Sequence, residues 1–488
     1  MAKVLLIDPP WFVLQNQDNS VASLGLAYLG AYLRKKEHEC LIYNGEFGFK
    51  TQPLKGSVLI DYDNYLSNLE SNSPYIKQTF EEITKLIKNF NPSIVGIAIP
   101  TAKYVVAVKI AEKIKQLNPK IKIIVGGPHP TGLPEKTLKE KCFDIVIKNE
   151  GEISFCNVVD ALENKKSLKN IKGISYKENK IINNPLQPYV EDLDTLPFPA
   201  WDLFYRWKEF HPDSFGGVLT SRGCPYDCTF CASKEIWTKK TRNRTVLNIL
   251  KEIKQTHEKF KTKLFRINDD TFTLNKQRVI DFCSGLINER LNIKWICDTR
   301  TNHIDLELLN LMKKAGCFHI NLGIESGNPE ILKLIKKGIN LKEVRNVFKL
   351  AKKAKISTTA YFMIGFPTET KEQVRDTIRL MEEIRPDNPC WGTVTPYPGT
   401  ELYDLAKKMN VLPENDNYSH YFHHSPDMGL SKNLTKEDIN GLMAEIQNKL
   451  DIIHKKKNIK RKINYFLHPI ETSKKLKYRI FSLLKITF

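Results

Sequence analysis

Short apolar runs alternate with longer segments of helical spacing over the first third of the chain. Val4-Leu5-Leu6-Ile7 is a buried-strand run that stops at Asp8-Pro9-Pro10-Trp11, a loop because proline cannot continue a central ladder. Ser23 to Leu33 sets small and apolar residues at helical spacing, and Cys40 to Tyr43 predicts a second strand. A third strand is predicted between Pro92 and Pro100, a helix from Val105 to Leu117, and a fourth strand over Ile121 to Val125. That strand closes on Gly126-Gly127-Pro128-His129-Pro130, and a fifth, Asp144 to Ile147, precedes Glu150-Gly151-Glu152. The alternation predicts a doubly wound parallel sheet with helices on both faces over residues 1–156. Ligands of such sheets sit outside the carboxyl ends of the strands. Pro9, Pro10, Thr101 and the Gly126-Gly127-Pro128-His129 loop all gather there.

Residues 157–215 combine a helix to about Asn164, a hairpin around Gly173-Ile174-Ser175-Tyr176, and a proline-rich run from Asp192 to Trp201 that reads as an extended linker. From Gly216 the pattern lengthens to strand–helix units. Strands are predicted at Val218 to Thr220, Leu264 to Asn268, Lys294 to Cys297, His319 to Gly323, Thr358 to Ile364 and Gly392 to Thr395. Helices such as Val246 to Phe260 and Leu341 to Ala354 lie between them, and six such units make a partial (β/α)6 barrel over 216–405. In a parallel barrel the chemistry sits on the C-terminal strand ends. Here those ends carry Asn268-Asp269-Asp270, Asp298-Thr299-Arg300, Glu325-Ser326-Gly327, Gly365 to Glu369 and Thr395 to Thr400. Residues 406–488 read as a helical, basic C-terminal region with a helix over Leu434 to Ile453.

At 488 residues there is room for two or three domains. The formal net charge of +20 is uneven: Asp451 to Phe488 holds eleven Lys and Arg against two acids, +9 of the total. No basic run is interleaved with aromatics near the polar strand ends, so nucleic acid is not the expected partner. The stretch Lys474 to Phe488 has two readings, a solvated cap or a peripheral contact with an anionic membrane surface. No apolar run approaches the roughly eighteen residues of a membrane span, and the N-terminal apolar run is too short for a signal segment. Ten cysteines in this length are too few for a disulfide scaffold, and a cytoplasmic location is expected.

Three of those cysteines stand apart from the rest. Ser221-Arg222-Gly223-Cys224-Pro225-Tyr226-Asp227-Cys228-Thr229-Phe230-Cys231-Ala232-Ser233 carries C-x3-C-x2-C spacing, with no fourth ligand before Cys283. A structural zinc site wants four closed ligands. Three thiolates on one short loop instead suit an iron–sulfur cluster with one open iron, and zinc or unligated cysteines are the competing readings. Cys283 and Cys317 read as core residues, whereas Cys297 and Cys390, near strand ends, are candidates to face the site.

With Phe230 directly before its third cysteine, this run resembles the cluster loop of the radical S-adenosylmethionine (SAM) enzymes. The resemblance implies a 4Fe-4S cluster on Cys224, Cys228 and Cys231 whose open iron chelates SAM, and reductive cleavage to a 5'-deoxyadenosyl radical. The N-terminal stretch is similar to the cobalamin-binding domain of one large subclass, through the helix start Ser23-Leu24-Gly25-Leu26 and the Gly126-Gly127-Pro128-His129 loop. That makes Pro9, Pro10, Ser23, Leu24, Gly25, Thr101, Gly126, Gly127, Pro128 and His129 candidate cobalamin contacts. The motif D-x-H-x-x-G is absent at both His38 and His129, so the resemblance implies cobalamin without a protein histidine under the cobalt. A flavodoxin-like scaffold with no cobalamin is the alternative reading of this domain.

The family pattern further implies that Glu325 and Ser326 face the ribose and amino-acid part of SAM. Asn268, Asp269 and Asp270 take the place of a glycine-rich motif at its ammonium, Ile364 and Gly365 offer backbone to adenine, and Tyr226 and Phe230 supply surface beside it. Helix N-capping is the competing role for Glu325 and Asp269. Arg300 is either a clamp for a substrate carboxylate or a partner of Asp298. The fold class is thus α/β, a Rossmann-like doubly wound sheet, a linker at 157–215, a partial (β/α)6 radical SAM barrel and a helical C-terminal segment. The implied function is cobalamin-dependent radical SAM methylation of an unactivated carbon, with ring closure or rearrangement on the same cofactors as the alternative. Its partners would be a small-molecule or lipid-like substrate and an electron donor such as flavodoxin or ferredoxin.

Overall fold

The computed structural model describes residues 1–15, 21–48, 62–70, 72–412, 418–421, 425 and 429–467, with backbone alone at 62–64 and 454–467. Strands β1 (Lys3–Asp8), β2 (Glu39–Asn44), β3 (Ile94–Ala98), β4 (Lys122–Gly126), β5 (Ile145–Ile147), β6 (Ile174–Lys177) and β7 (Ile181–Asn183) form one sheet in the order β2-β1-β3-β4-β5-β6-β7. The first five are parallel; β6 and β7 are an antiparallel hairpin added at the β5 edge. Leu5, Ile7 and Val95 point into one buried cluster, and Val4, Leu6 and Ile94 into another. Burial on both faces is why these strands read as unbroken apolar runs.

The sheet continues to Asn183, well past residue 156, where the helix Gly151–Glu163 is still running. The stretch expected to be extended instead folds back as short 3-10 turns at Leu193–Thr195, Trp201–Leu203, Trp207–Glu209 and Pro212–Phe215. Trp201, Phe204, Phe210 and Phe215 pack into the cluster that holds Cys40, Ile42 and Phe260. Each buried aromatic contributes roughly 1.5–3 kcal/mol, enough to hold a proline-punctuated strap against the sheet.

In the second half, β8 (Gly217–Val218) leads into a two-stranded antiparallel ladder of β9 (Ser221–Arg222) and β10 (Arg242–Asn243). Then come β11 (Leu264–Ile267), β12 (Lys294–Thr299), β13 (Cys317–Glu325), β14 (Ser357–Ile364) and β15 (Asn388–Thr393). The order β15-β14-β13-β12-β11-β8, parallel throughout, is a six-stranded open barrel. Phe272, Phe282 and Trp295 meet edge to face, with centroids 5.5–5.6 Å apart, in its outer core. Cys283, Cys297 and Cys317 are buried in the same cluster, so Cys297 does not face the site. Phe362 and Trp391 stack on the helical side, which turns their neighbours Tyr361 and Cys390, paired across β14 and β15, toward the barrel interior.

The last described helix, Lys436–Leu467, lays Ile439, Leu442, Met443 and Ile446 on the barrel core. Lys474 to Phe488 lies outside the described residues. Among the described residues no helix is long and apolar enough to cross a membrane.

Candidate active site

The β9–β10 ladder closes the loop that carries the three cysteines. Gly223 opens it at φ +95°, and a Cβ there would meet the Lys240 carbonyl oxygen at 2.3 Å. Asp269, 1% exposed, accepts hydrogen bonds from the Thr220 and Ser221 amides at 2.6 and 3.0 Å and from both hydroxyls. It therefore clamps the strand before the loop; it neither caps a helix nor stands free for SAM. The middle of the loop hangs from two neighbours: the Thr229 amide donates to the Ile335 carbonyl, and its carbonyl accepts from the Leu402 amide.

Each sulfur has its own neighbour. Cys224 Sγ lies 3.9 Å from the Thr271 hydroxyl, Cys231 Sγ accepts from the Ser233 amide at 3.5 Å, and Cys228 Sγ accepts from Arg300 Nη1 at 3.5 Å. Burial pushes the Cys224 thiol up and that of Cys231 up to about 11. Thiols so placed become thiolates only when a metal supplies the compensating charge. Among the described residues no three His, Cys, Asp or Glu side chains converge as ligands of one ion. The three thiols are nevertheless close enough to perturb one another, the arrangement a larger cluster spans.

The barrel strand ends surround this loop. Asp270 accepts from the Ser233 hydroxyl at 2.5 Å, and burial raises its carboxyl above the ordinary range against that bond. Glu325, at φ +68°, pairs with Lys337 at 2.7 Å, and Lys337 Nζ lies 5.7 Å from the Phe230 ring centroid. Ser326 bonds Thr377 and caps the Asn328 amide, so its hydroxyl already has structural partners. The Ile364 carbonyl accepts from the Val394 amide, and Gly365 donates to Glu369 at 2.7 Å while accepting from the Leu430 amide. These backbone groups, expected to serve adenine, each hold a neighbouring segment. The Tyr226 ring lies under the Arg300 guanidinium, and its hydroxyl bonds His303. Arg300 is not the partner of Asp298, which is bonded by Asn321 and Arg266 instead.

A cavity of about 750 Å³ opens between the carboxyl ends of β3, β4 and β5 and the first barrel strands. Its walls are mainly apolar and include Ser23, Leu24, Gly25, Gly126 and Gly127 from the sheet and Leu264, Arg266, Asn268 and Ile296 from the barrel. Gly127 sits at φ +108°, where a Cβ would meet the Ile99 backbone at 3.2 Å, so only glycine passes the wall this closely. A broad apolar cradle with backbone walls fits a large planar cofactor. Pro9, Pro10, Thr101, Pro128 and His129 are not in this wall.

His129 instead turns into a cage of Tyr104 and Tyr418, with centroids at 4.3 and 4.5 Å. Neither ring nitrogen has a partner among the described residues, and burial holds its pKa down to about 3, which favours the neutral ring. His38 bonds the Ala2 amide and Asp160. Among the described residues no histidine lines the cavity.

Residues that pattern reading missed join this cavity to the cluster loop. Arg222, two residues before Cys224, donates a hydrogen bond to Glu152 at 2.5 Å and forms an ion pair with Glu150 at 3.0 Å; Arg242 adds a second ion pair to Glu150 at 2.8 Å. Arg222, Glu150 and Glu152 are all cavity wall. The only usable signal was Arg222 beside the cysteines and a Glu-Gly-Glu at a strand end. Arg266 differs from these charges, since its one anionic partner among the described residues, Asp298, is 3.5 Å away.

The Radical SAM superfamily model matches residues 218–381, and the B12 binding domain model matches residues 10–159. An uncharacterized methyltransferase of Pyrococcus horikoshii is 36% identical over 449 residues, 91% of each chain. An anaerobic magnesium-protoporphyrin IX monomethyl ester cyclase of Rubrivivax gelatinosus is 28% identical over 68% of this chain and 62% of its own. The fold is shared with the radical SAM methyltransferase TsrM of Kitasatospora setae, solved with cobalamin and a [4Fe-4S] cluster bound. Its TM-score is 0.64 at 16% identity, over 85% of this chain and 76% of that one.

Proposed function

The chain belongs to the radical SAM enzymes that carry an N-terminal B12-binding domain, and from that membership we propose that it methylates an unactivated carbon of a small molecule. It is a cobalamin-dependent radical SAM enzyme, with a 4Fe-4S cluster, SAM and cobalamin as its cofactors. The observation that carries the proposal is the single wall of Arg222, Glu150 and Glu152 between the three-cysteine loop and the glycine-walled cavity.

Bound there, the cluster and SAM supply a hydrogen-abstracting radical and cobalamin a transferable methyl group. Everything else falls to side chains. Cys224, Cys228 and Cys231 hold the cluster, and Asp270 and the Glu325–Lys337 pair stand at the strand ends to orient the SAM amino acid and ribose. Ser23, Leu24, Gly25, Gly126 and Gly127, which line the cavity, would hold the cobalamin. Arg266, the cavity charge with the most donor capacity left, marks the pole where an anionic or hydrogen-bond-accepting group of the substrate docks. The apolar remainder keeps water from the reacting carbon. A low-potential carrier of the flavodoxin or ferredoxin type would supply electrons in the cytoplasm.

The similarity to a cyclase supports a second reading, ring closure without methyl transfer. Anaerobic reconstitution with iron, sulfide and hydroxocobalamin tests both. About four irons per chain with bound cobalamin are expected, and SAM cleavage is lost in Cys224→Ala. Transfer of label from methyl-labelled SAM to a product marks a methyltransferase. Turnover without label transfer would favour the cyclase, and iron without retained cobalamin would remove both.

A further inference from the structure

Four arginines are buried among the described residues: Arg222, Arg242, Arg244 and Arg300. The first three each meet a glutamate at 3.0 Å or less. Arg300, 6% exposed, has no carboxylate within salt-bridge range among the described residues; in that place its Nη1 meets Cys228 Sγ at 3.5 Å. Its other contacts fix it there. Nη2 donates to the Lys337 carbonyl, and the guanidinium carbon lies 3.6 Å from the Tyr226 ring centroid. The remaining donor, Nε, is buried without a partner. A guanidinium in low dielectric with no counter-charge is costly, so the site is built for an anion that the protein alone does not supply.

We propose that Arg300 is the counter-charge of the iron–sulfur cluster, held against the Cys228 sulfur so that its positive charge raises the cluster's reduction potential. The inference rests on the three cysteines binding that cluster. Adding one electron makes the cluster and its thiolates more negative by one charge, and a fixed neighbouring cation favours that state over the oxidised one. Arg300 is thus a positioning residue: it acts through the cluster, and it makes the cluster accessible to a weaker electron donor. Stacking on Tyr226 and the bond to Lys337 hold the guanidinium plane, which a lysine would reproduce only as a point charge.

The test is a potentiometric titration of the reduced cluster's paramagnetic signal in anaerobically reconstituted full-length enzyme without SAM, with iron content measured in parallel. Wild type, Arg300→Gln and Arg300→Lys are compared. We expect Arg300→Gln to hold its iron and to need at least a tenfold more reducing poise for half-reduction, about 59 mV lower for a one-electron couple. Arg300→Lys is expected to recover most of that shift. If the glutamine variant loses iron while the lysine variant keeps it and titrates near wild type, the charge assignment also stands. An unshifted midpoint in iron-replete Arg300→Gln, equal shifts in the two variants, or iron loss from both would overturn it in favour of a strut or a carboxylate clamp. Wild type without iron would overturn the cluster reading itself, and this inference with it.

Discussion

Glu369 is fully buried, with one carboxylate oxygen accepting from the Gly365 and Phe366 amides at 2.7 and 3.2 Å and the other without a partner. Burial raises its pKa to about 7, against the pull of those two bonds. Because the folded-state value lies above the unfolded one, the stability this group contributes is full below about pH 4.5 and is lost as pH rises through 7. Between pH 5.5 and 8 the loss should be about 2 kcal/mol, and Glu369→Gln should abolish that slope. Urea unfolding of both proteins at the two pH values checks it. Equal slopes would mean that the carboxyl is already ionised at pH 5.5. Reading Gly365 to Glu369 as a polar strand end was sound as far as it went, but the direction of the glutamate was invisible. Nothing in a five-residue pattern says that the acid folds back on its own loop.

Among the elements, the cluster loop depends on backbone geometry as much as on its cysteines. Gly223 combines a left-handed conformation with a Cβ position already occupied by the Lys240 carbonyl. In Gly223→Val, either the β9–β10 ladder must part or the loop must shift, at a cost of at least about 2 kcal/mol. We expect lower thermal stability and a larger fractional loss of iron than in Leu247→Ala, a change at an exposed helix position. Iron retention equal to wild type would show that the ladder does not set the cysteine geometry. The elements themselves were legible because apolar runs bounded by proline and glycine are set locally. The strand ending at Asn268-Asp269-Asp270 was legible as an element, but its roles were not. Asn268 reaches the cavity, Asp269 clamps Thr220 and Ser221, and Asp270 faces Ser233. Alternation along a strand end separates such neighbours, and only the partners, 37 to 49 positions away for the two aspartates, decide what each does.

For the whole molecule, the decisive contact joins two modules that composition and periodicity treat as independent. Arg222 from the cluster loop and Glu150 and Glu152 from the sheet are all nearly inaccessible, and no local pattern pairs residues some seventy positions apart. Burial alone would raise the Glu152 carboxyl, but the charge and hydrogen bond of Arg222 outweigh it and hold the group below the ordinary range. Arg222→Met would leave Glu152 buried and without its cation, while Glu150 keeps Arg242. Breaking a buried pair from one side costs about 3–5 kcal/mol, most of it the stranded charge. Removing that charge as well, in Arg222→Met with Glu152→Gln, should return at least half of the loss. Stability and function separate at this point. If the bridge serves only to stabilise, the double variant recovers cobalamin retention along with its melting temperature. If it holds the cavity wall in register with the cluster loop, the double variant melts near wild type but still releases cobalamin faster. We expect the second outcome, because the same three side chains are at once interdomain bond and cavity wall, and methionine and glutamine restore neutrality without restoring the bond that aligns the two.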